Sequence, residues 1–510
     1  MARAYRIAAI DVGTNSIHMI IAESHRHGYR VIDKEREMVQ LGRGSLEGRP
    51  LTDDAIERGV ATLRKMGEIA RRWNVDDVVA VATSAIREAP NRRKFLSRVQ
   101  KEAGIQVRVI SGEEEADLIN RAIRSAVDFH GGTALAIDIG GGSVELIVGT
   151  SEEVFFTRSE PLGALRMAQR FELQSKSSAE QVAACRTAVR KALKKSLARV
   201  ESLGFDFVIG SSGTIVTLAD LAADQPDESA VASGLKWLSR RKLSALIDEL
   251  TSLDTEERAR KYGLEERRAA TLLAGGIVLE QILLGVKKEK LRASDAALRE
   301  GIVERALEER RIVKTASGSV RRSSVLTLAE RTAIDDVHAN QVARLALRIF
   351  DQTAALHDLG PAEREFLEYA AILHEVGTHV SFQGHHKHSY YLISHAGLKG
   401  FTTEQVAVVA NVARYYRKAT PDLEHQNFAQ LSKPRQQVVM KLAAILRIAA
   451  ALDRGRRGAV RDIAVAADKN VVRFTIRPRD DVDVEFETAV RKSKYFASVF
   501  ERGVSFEIAR

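Results

Sequence analysis

Residues 136–146 read AIDIGGGSVEL, and this stretch decides the fold of the chain. An apolar run ends at Asp138, three glycines and a serine follow, and alternating apolar residues then resume. This pattern predicts a strand, a tight turn and a second strand. Because glycine has no side chain, the backbone N–H groups of such a turn can approach a bound anion closely. Asp138, at the mouth of the turn, is placed to hold a divalent cation against that anion.

The same pattern occurs a second time, near the N-terminus. Residues 9–22, AIDVGTNSIHMIIA, align without gaps on residues 136–149, AIDIGGGSVELIVG, and Asp11 takes the position of Asp138. An internal repeat is stronger evidence for the architecture of a chain than any single predicted element. The two matched hairpins therefore predict two duplicated half-domains that face each other across an anion-binding cleft.

Length and composition bound the class of protein. A chain of 510 residues is too long for one core and predicts two to four domains. With 45% hydrophobic and 29% charged residues, it reads as a soluble globular protein rather than a disordered one. Its single cysteine, Cys185, excludes an internal disulfide framework and fits a reducing cytoplasm.

Targeting signals, apolar runs and net charge indicate where the protein is located and what kind of partner it binds. The apolar residues at the N-terminus continue directly into the first hairpin, so no signal peptide is expected. The apolar run 271–279 is interrupted by Glu280 and Gln281, which favours a buried helix over a membrane span. The net charge of +10 indicates an anionic partner such as nucleic acid, polyphosphate or charged nucleotides, although a solvated basic surface gives the same balance.

Changes in pattern along the chain predict five segments. The first two are half-domains, each opened by one hairpin, and a basic, serine-bearing connector follows them. Beyond the connector lie a helical region dense in histidine and a small piece of alternating strands. The predicted boundaries are 1–126, 127–310, 311–332 (connector), 333–458 (helical) and 459–510 (α+β).

Further candidate anion sites lie outside the duplicated hairpins. A third glycine turn, residues 210–214, follows a buried strand and opens a helix, whose N-terminus suits an anion. Arg87 follows the strand predicted at 78–83 and is placed for bidentate phosphate contact, although its position beside Glu88 also suits a surface ion pair. The candidate phosphate-binding residues are Gly13, Thr14, Asn15, Ser16, Arg87, Gly140, Gly141, Gly142, Ser143, Ser212, Gly213 and Thr214.

Taken in order, these motifs resemble the exopolyphosphatase / guanosine pentaphosphate phosphohydrolase family, a branch of the actin-like, sugar-kinase-like ATPase superfamily. The matching stretches are DVGTNS at 11–16, TSAIR at 83–87, SGEEEA at 111–116, DIGGGS at 138–143 with Glu145, GSSGT at 210–214, EER at 256–258 and DAALREG at 295–301. The resemblance covers residues 1–310 and implies two actin-like (ribonuclease H-like) α/β domains. It also implies hydrolysis of the terminal phosphate of inorganic polyphosphate, or of the 5′ γ-phosphate of guanosine pentaphosphate, with Mg²⁺.

Asp138 and Glu145 are the expected Mg²⁺ ligands, with Asp11 beside them, because Mg²⁺ prefers carboxylate oxygen and retains several waters. The water-activating base is expected among the glutamates at 113–115. Ser111 and Glu114 have capping-box spacing, which predicts that the Glu114 side chain returns to the Ser111 N–H. Glu113 then faces solvent and Glu115 is left free. We therefore expect Glu115 to be the base, as the family resemblance also implies, with Glu114 as the second candidate.

The sequence leaves two anions as candidate substrates, inorganic polyphosphate and guanosine pentaphosphate. Exopolyphosphatase is the leading interpretation, because a basic chain with a long C-terminal extension suits a long polyanion. Guanosine pentaphosphatase is the alternative, while an ATP-dependent kinase or a non-catalytic alarmone sensor would belong to other functional classes. No membrane and no specific nucleic acid are expected as partners, and the resemblance implies a homodimer.

Residues 333–458 resemble the HD-type helical domain that long members of the family carry. HD domains gather a metal ion through a His…His-Asp…Asp set. His338, the pair His374-Glu375 and Asp453 take those positions here, with glutamate in place of the aspartate of the doublet. The resemblance thus implies a mostly α-helical third domain with a degenerate HD site.

Overall fold

Each of the two hairpins belongs to a mixed β-sheet, and the two sheets share one strand order. The computed structural model of the protein describes residues 4–222, 235–312 and 319–509. These residues form two compact units, which divide between Val320 and Arg321. The strands of the first unit are β1 (Arg6–Val12), β2 (Ile17–His25), β3 (Gly28–Glu37), β4 (Asp77–Ala82), β5 (Val107–Val109), β6 (Ala134–Ile139), β7 (Val144–Gly149), β8 (Val154–Glu160), β9 (Phe207–Ser211), β10 (Leu235–Ser239) and β11 (Lys290–Ser294).

The strand order confirms the duplication predicted from the hairpins. The first sheet runs β3-β2-β1-β4-β5, and the second runs β8-β7-β6-β9-β11 with β10 added at its edge. In both sheets the hairpin strands pair antiparallel and the next strand joins the first one parallel. Every residue of β6 and β7 is buried, which explains why these strands have apolar side chains on both faces.

Helices cover both sheets of the first unit. They are α1 (Asp53–Arg72), α2 (Ser84–Glu88), α3 (Arg92–Ala103), α4 (Gly112–Ala126), α5 (Ala164–Arg170), α6 (Ala179–Leu203), α7 (Ser212–Leu221), α8 (Arg240–Ser252), α9 (Thr255–Tyr262), α10 (Glu266–Gly285) and α11 (Leu298–Glu309). Among the described residues, α10 is the one helix long and apolar enough to cross a membrane. It is mostly buried in the core, and it continues through Glu280, which pairs with Arg186 at 2.8 Å.

Two helices join the two sheets into one unit. A single buried cluster contains Ile7 of β1, Ala136 of β6 and residues of both α4 and α11. A Cβ on Gly301 of α11 would lie 1.9 Å from the Leu118 carbonyl oxygen of α4, so only glycine permits this close approach. Helix α11 therefore contacts β1 and β2 of the first sheet, although the sequence placed it in the second half-domain.

The second unit is mostly helical and has a small sheet. Its helices are α12 (Val320–Arg331), α13 (Asp336–Gln352), α14 (Ala354–His357), α15 (Pro361–Leu373), α16 (His385–His395), α17 (Thr403–Tyr415), α18 (Gln426–Ala429), α19 (Lys433–Ala451) and α20 (Asp483–Phe500), with a 3-10 turn at Val376–His379. Strands β12 (Val460–Ala467), β13 (Val471–Pro478) and β14 (Gly503–Ile508) form a sheet in that order.

Two predicted boundaries in this region differ from the structure. The expected connector 311–332 contains α12, whose Val325 and Leu328 enter the helical core, and the part at 313–318 lies outside the described residues. The expected separate piece 459–510 shares that core through Phe474 of β13 and Phe496 of α20. Residues from 321 onward therefore form one compact unit, because the apolar faces of the late strands and of α20 are buried against the helices.

Candidate active site

The turns of the two duplicated hairpins touch each other in the first unit. A Cβ on Gly141 would lie 3.1 Å from the backbone nitrogen of Asn15, and one on Gly142 would lie 2.4 Å from the Ser84 hydroxyl oxygen. The glycines of the second hairpin therefore let the two turns pack backbone to backbone. The sequence predicted half-domains that face each other, and this contact is where they meet.

A cavity of about 390 Å³ lies at this junction. Eleven of the twelve candidate phosphate-binding residues line it, namely Gly13, Thr14, Asn15, Ser16, Gly140, Gly141, Gly142, Ser143, Ser212, Gly213 and Thr214. Within the described ranges, the N–H groups of Thr14, Asn15, Gly141 and Gly142 donate to no hydrogen-bond acceptor. Helix α7 begins at Ser212, and its N-terminus adds a partial positive charge. The lining can therefore receive an anion through several backbone donors.

Four carboxyl groups gather beside these donors. Glu115 and Asp138 line the cavity together with Asp11, and Glu145 is the cross-strand partner of Asp138. Glu115, Asp138 and Glu145 are buried. Glu145 accepts a hydrogen bond from the Ser159 hydroxyl at 2.8 Å, whereas Asp11 Oδ1 is buried and has no hydrogen-bond partner among the residues described.

Burial dominates the electrostatics of this cluster. It raises the pKa of Asp11 to about 8 and that of Asp138 to about 6. Burial also raises the pKa of Glu145 well above its ordinary value, and the neighbouring charges of Glu115 and Asp138 add to the effect. Carboxylates packed this closely repel one another and call for a cation. The orphaned oxygen of Asp11 and the acidic donor set both fit Mg²⁺, which takes oxygen ligands.

Glu115 has the environment expected of a base that works near neutral pH. Burial raises its pKa to about 7, while the charge of Arg87 opposes that shift. The Arg87 guanidinium donates to Glu115 Oε2 at 3.0 Å and to the Ile110 carbonyl oxygen at 2.9 Å. Arg87 lines an adjacent cavity instead of the one between the hairpins. The structure thus places it as a partner of Glu115, and its predicted phosphate contact stays a prediction.

The three adjacent glutamates separate in space, but the predicted reason is partly wrong. Ser111 caps the helix, since its hydroxyl accepts the Glu114 N–H at 3.1 Å. The Glu114 carboxylate does not complete a capping box; it pairs with Arg108 and Arg305 instead. Two arginines outcompete one backbone N–H for a partly exposed carboxylate. Glu114 therefore lies away from the cavity, and Glu113 is exposed, as predicted.

Several residues that line the cavity were assigned no role from the sequence. Among them are four basic residues, Lys34, Arg36, Arg268 and Arg299, together with His18. His18 occupies the repeat position of Glu145, so the alignment of the two hairpins carried a signal for it. Arg299 lies within the matched stretch 295–301. The other three carry no local signal, because isolated basic residues on a strand or at a helix start are usually solvated.

The four residues of the expected HD site also come together, in the second unit. The rings of His338 and His374 lie 5.4 Å apart, His338 hydrogen-bonds to Asp453 at 2.8 Å, and Glu375 lies beside both rings. These residues, which the resemblance to HD domains singled out, lie together in the second unit; their binding of a metal ion stays a prediction.

Comparison with known proteins decides the family. The model of the Ppx/GppA phosphatase family matches residues 20–310, and that of domain III of Ppx/GppA phosphatase matches residues 320–492. The chain belongs to the Ppx/GppA phosphatase family. It is thus a hydrolase of phosphoanhydride bonds, with the α/β fold of two duplicated actin-like domains in its first unit.

Individual relatives carry two different names. A guanosine-5′-triphosphate,3′-diphosphate pyrophosphatase from Vibrio vulnificus is 30% identical over 442 residues, which are 86% of each chain. A crystallised exopolyphosphatase from Cytophaga hutchinsonii is 30% identical, with a TM-score of 0.57, and the match covers 61% of this chain and 100% of that one. A Ppx/GppA family member from Aquifex aeolicus, also 30% identical, has a TM-score of 0.51 over 60% of this chain and 99% of its own.

Proposed function

We propose that this phosphatase is a Mg²⁺-dependent exopolyphosphatase that removes the terminal phosphate of inorganic polyphosphate. The observation that carries the proposal is the lining of the cavity between the hairpins. It combines backbone donors, basic side chains and carboxylates, and the described lining contains no phenylalanine, tyrosine or tryptophan on which a purine base would stack. Such a site favours a chain of phosphates over a nucleoside.

The carboxylates of Asp138 and Glu145, with Asp11, would hold the Mg²⁺ ion. When bound, the ion supplies positive charge that offsets the charge of the transferring phosphoryl group. The free N–H groups of both hairpins orient the terminal phosphate by hydrogen bonds. Glu115 removes a proton from water, and the water oxygen forms a bond to the terminal phosphorus. The bond to the bridging oxygen breaks, so that orthophosphate and a chain shorter by one phosphate leave.

Guanosine pentaphosphate is the second candidate substrate. It is supported by the names of the relatives that match across 86% of both chains. Its 5′ triphosphate ends in the same kind of phosphoanhydride bond, so the hairpins and the carboxylates could bind and hydrolyse it in the same way. The two candidates differ in whether the protein holds the guanosine.

Orthophosphate release measured with both substrates tests the proposal. We expect a higher kcat/KM for long-chain polyphosphate than for guanosine pentaphosphate at equal Mg²⁺, and little inhibition by ATP. A higher kcat/KM for guanosine pentaphosphate would reject the polyphosphate assignment and favour the second candidate.

Arg299 provides a test of the basic lining. It contacts His18 and Glu300 at the cavity, and we expect Arg299→Gln to raise the KM for polyphosphate about 10- to 100-fold, the range for a lost charge-assisted hydrogen bond. Arg305→Gln is the matched control, since Arg305 lies on the same helix but pairs with Glu114. An unchanged KM in Arg299→Gln, or an equal rise in the control, would contradict this role.

Metal binding should depend on pH in a defined direction. In the metal-free protein the pKa values of Asp11 (about 8) and Asp138 (about 6) exceed the 3.8 of an unperturbed aspartate, so the folded state holds more protons than the unfolded state between pH 4 and 8. The stability contributed by these groups is therefore present at low pH and is lost as pH rises through their folded pKa values. Because Mg²⁺ requires the deprotonated groups, saturating Mg²⁺ should raise Tm more at pH 8 than at pH 5.

Thermal melts in EDTA and in Mg²⁺ at both pH values measure this difference. Asp138→Asn should reduce the increase in Tm that Mg²⁺ causes at pH 8. Equal increments at pH 5 and pH 8 in the wild-type protein would count against Mg²⁺ binding by these carboxylates.

We further infer an HD-like arrangement for the helices of the second unit, a cytoplasmic location and a homodimer. The clustering of His338, His374, Glu375 and Asp453 supports the first inference. The free, buried thiol of Cys185 supports the second. The homodimer is implied by the family resemblance and is tested by light scattering of the purified chain.

A further inference from the structure

The serines of the two duplicated hairpins have different partners, although they occupy the same position of the repeat. In the first hairpin, Ser16 Oγ lies 2.7 Å from His18 Nε2. In the second hairpin, Ser143 takes the position of Ser16, and Glu145 takes that of His18. Burial raises the pKa of Glu145, and the hydrogen bonds that its carboxylate accepts from Ser143 and Ser159 oppose that rise. The repeat therefore pairs one serine with an imidazole and the other with a carboxylate.

Arg299 decides which nitrogen of the His18 ring carries the hydrogen. Its Nη1 lies 3.4 Å from His18 Nδ1. Because a guanidinium only donates, this ring nitrogen accepts with its lone pair. Burial lowers the pKa of His18 well below its ordinary value, and the charges of Arg299, Arg36 and Arg268 add to that shift, so the ring is neutral. A neutral imidazole that accepts at Nδ1 carries its hydrogen on Nε2, the nitrogen that faces Ser16.

The guanidinium of Arg299 is itself held in place for this contact. Its Nε donates to Glu300 Oε1 at 3.0 Å, and its Nη2 donates to the Asp295 carbonyl oxygen at 3.4 Å. The other oxygen of Glu300 accepts the Ala297 N–H at 2.9 Å, at the start of α11. The first turn of α11 thus fixes the position of Arg299, and with it the tautomer of His18.

The direction of the hydrogen bond decides what the Ser16 hydroxyl can do in the cavity. A hydroxyl that accepts from His18 Nε2 keeps its own hydrogen for a second partner. Ser16 and His18 both line the cavity, beside the backbone of the turn at 13–16. In the second hairpin, Ser143 gives its hydrogen to Glu145 and keeps its lone pairs, which suit a cation. The two copies of the repeat therefore differ as an anion side and a cation side.

We propose that His18 is a positioning residue that donates to Ser16 and thereby makes the Ser16 hydroxyl a hydrogen-bond donor to the terminal phosphate of the substrate. His18 acts through Ser16 and not on the reacting atoms. The hydroxyl is oriented before the substrate arrives, so less freedom is lost when the phosphate binds. This inference rests on the proposed binding of the terminal phosphate by the hairpin turns.

Nitrogen NMR of the metal-free, full-length protein with isotope-labelled histidine tests the tautomer directly. The signals of His18 are assigned by their absence in His18→Gln. At neutral pH we expect the ring hydrogen of His18 on Nε2 and a lone pair on Nδ1. A hydrogen on Nδ1 instead, or on both nitrogens, would overturn the proposal. This measurement needs no substrate, so its result is independent of the proposed function.

A double-mutant cycle tests whether His18 acts through Ser16. His18→Leu should raise KM about 2- to 10-fold, the range for one neutral hydrogen bond, with kcat changed by less than about twofold. In the Ser16→Ala background, His18→Leu should have no further effect on KM. His18→Gln should recover most of the wild-type KM, because its amide N–H can replace the Nε2 donor.

The cycle is measured with whichever of polyphosphate and guanosine pentaphosphate the wild-type protein hydrolyses faster, so rejection of the polyphosphate assignment would not decide it. His130→Gln, at an exposed histidine of the same unit, is the matched control and should have the KM of the wild type. Thermal melts verify folding, and the tautomer of the wild-type protein gives the answer if His18→Leu does not fold. An unchanged KM in His18→Leu, or an equal rise with and without Ser16, would contradict the role of His18.

Discussion

Glu115→Gln is expected to lower turnover of polyphosphate by roughly two to four orders of magnitude, the range for a lost general base. Glutamine keeps the shape of the side chain but cannot take a proton from water. The buried position of Glu115 in the cavity and its pKa of about 7 both suit that role. Because the N–H groups of the hairpins would hold the phosphates independently of Glu115, the affinity for polyphosphate should be retained. Stopped-flow orthophosphate release and isothermal titration measure the two effects separately.

Glu114→Gln is the matched control, one residue away on the same helix. Its carboxylate pairs with Arg108 and Arg305 on a partly exposed face, so the change should cost about 1 kcal/mol or less in free energy of unfolding. Turnover should stay close to that of the wild type. If Glu114→Gln were the inactive enzyme and Glu115→Gln the active one, the base would be misassigned.

The second large effect is expected at the cation site. Asp138→Asn and Glu145→Gln should each reduce Mg²⁺-dependent hydrolysis to near background, because each removes a charged oxygen from the cluster that would hold the ion. Neither change should unfold the protein. Burial makes both negative charges costly, so neutral replacements should leave the Tm of the metal-free protein unchanged or higher.

Turnover over a range of Mg²⁺ concentrations checks this prediction, with Tm in EDTA as the measure of folding. Glu153→Gln, an exposed glutamate in the turn between β7 and β8, is the control and should behave as the wild type does. Near-normal turnover of either active-site variant at saturating Mg²⁺ would contradict the assignment of the ligands.

The topology of the first unit could be predicted from one repeat. Gly13 and Gly140 mark the two hairpins, and a hairpin fixes the pairing of its strands, so the duplicated sheets followed from the sequence. Helix α11 could not be placed in this way. Its packing on β1 depends on the close approach at Gly301, a tertiary contact that no local pattern encodes.

The sequence predicted those residues of the candidate site that belong to turns and strand ends, because such positions have local sequence patterns. Glu115 was chosen as the base because Glu114 was expected to complete a capping box. Glu114 instead pairs with Arg305, which is 191 residues away in the chain and could not be foreseen from the local sequence. The basic side chains that line the cavity were not predicted, because their convergence also depends on tertiary contacts. Lys34 and Arg268 reach the cavity from different elements, and each alone is indistinguishable from a surface residue.

In the second unit, the resemblance to HD domains singled out His338, His374, Glu375 and Asp453, but not the contacts that each of them makes. The sequence gives no sign that both oxygens of Asp453 are occupied or that His374 Nε2 is left without a partner. Those facts depend on the loop to Gly458 and on the end of α15, which are tertiary features that no local pattern encodes.

We propose that one cleft of the first unit holds the cation and the terminal phosphate together. Anomalous diffraction from Mn²⁺ in crystals of the Glu115→Gln protein soaked with polyphosphate tests it most directly. We expect a Mn²⁺ peak at bonding distance from Asp138 and Glu145, with the terminal phosphate against the N–H groups of the turns at 13–16 and 140–143. A polyphosphate chain bound elsewhere, or no Mn²⁺ peak at these carboxylates while the phosphates are in place, would contradict it.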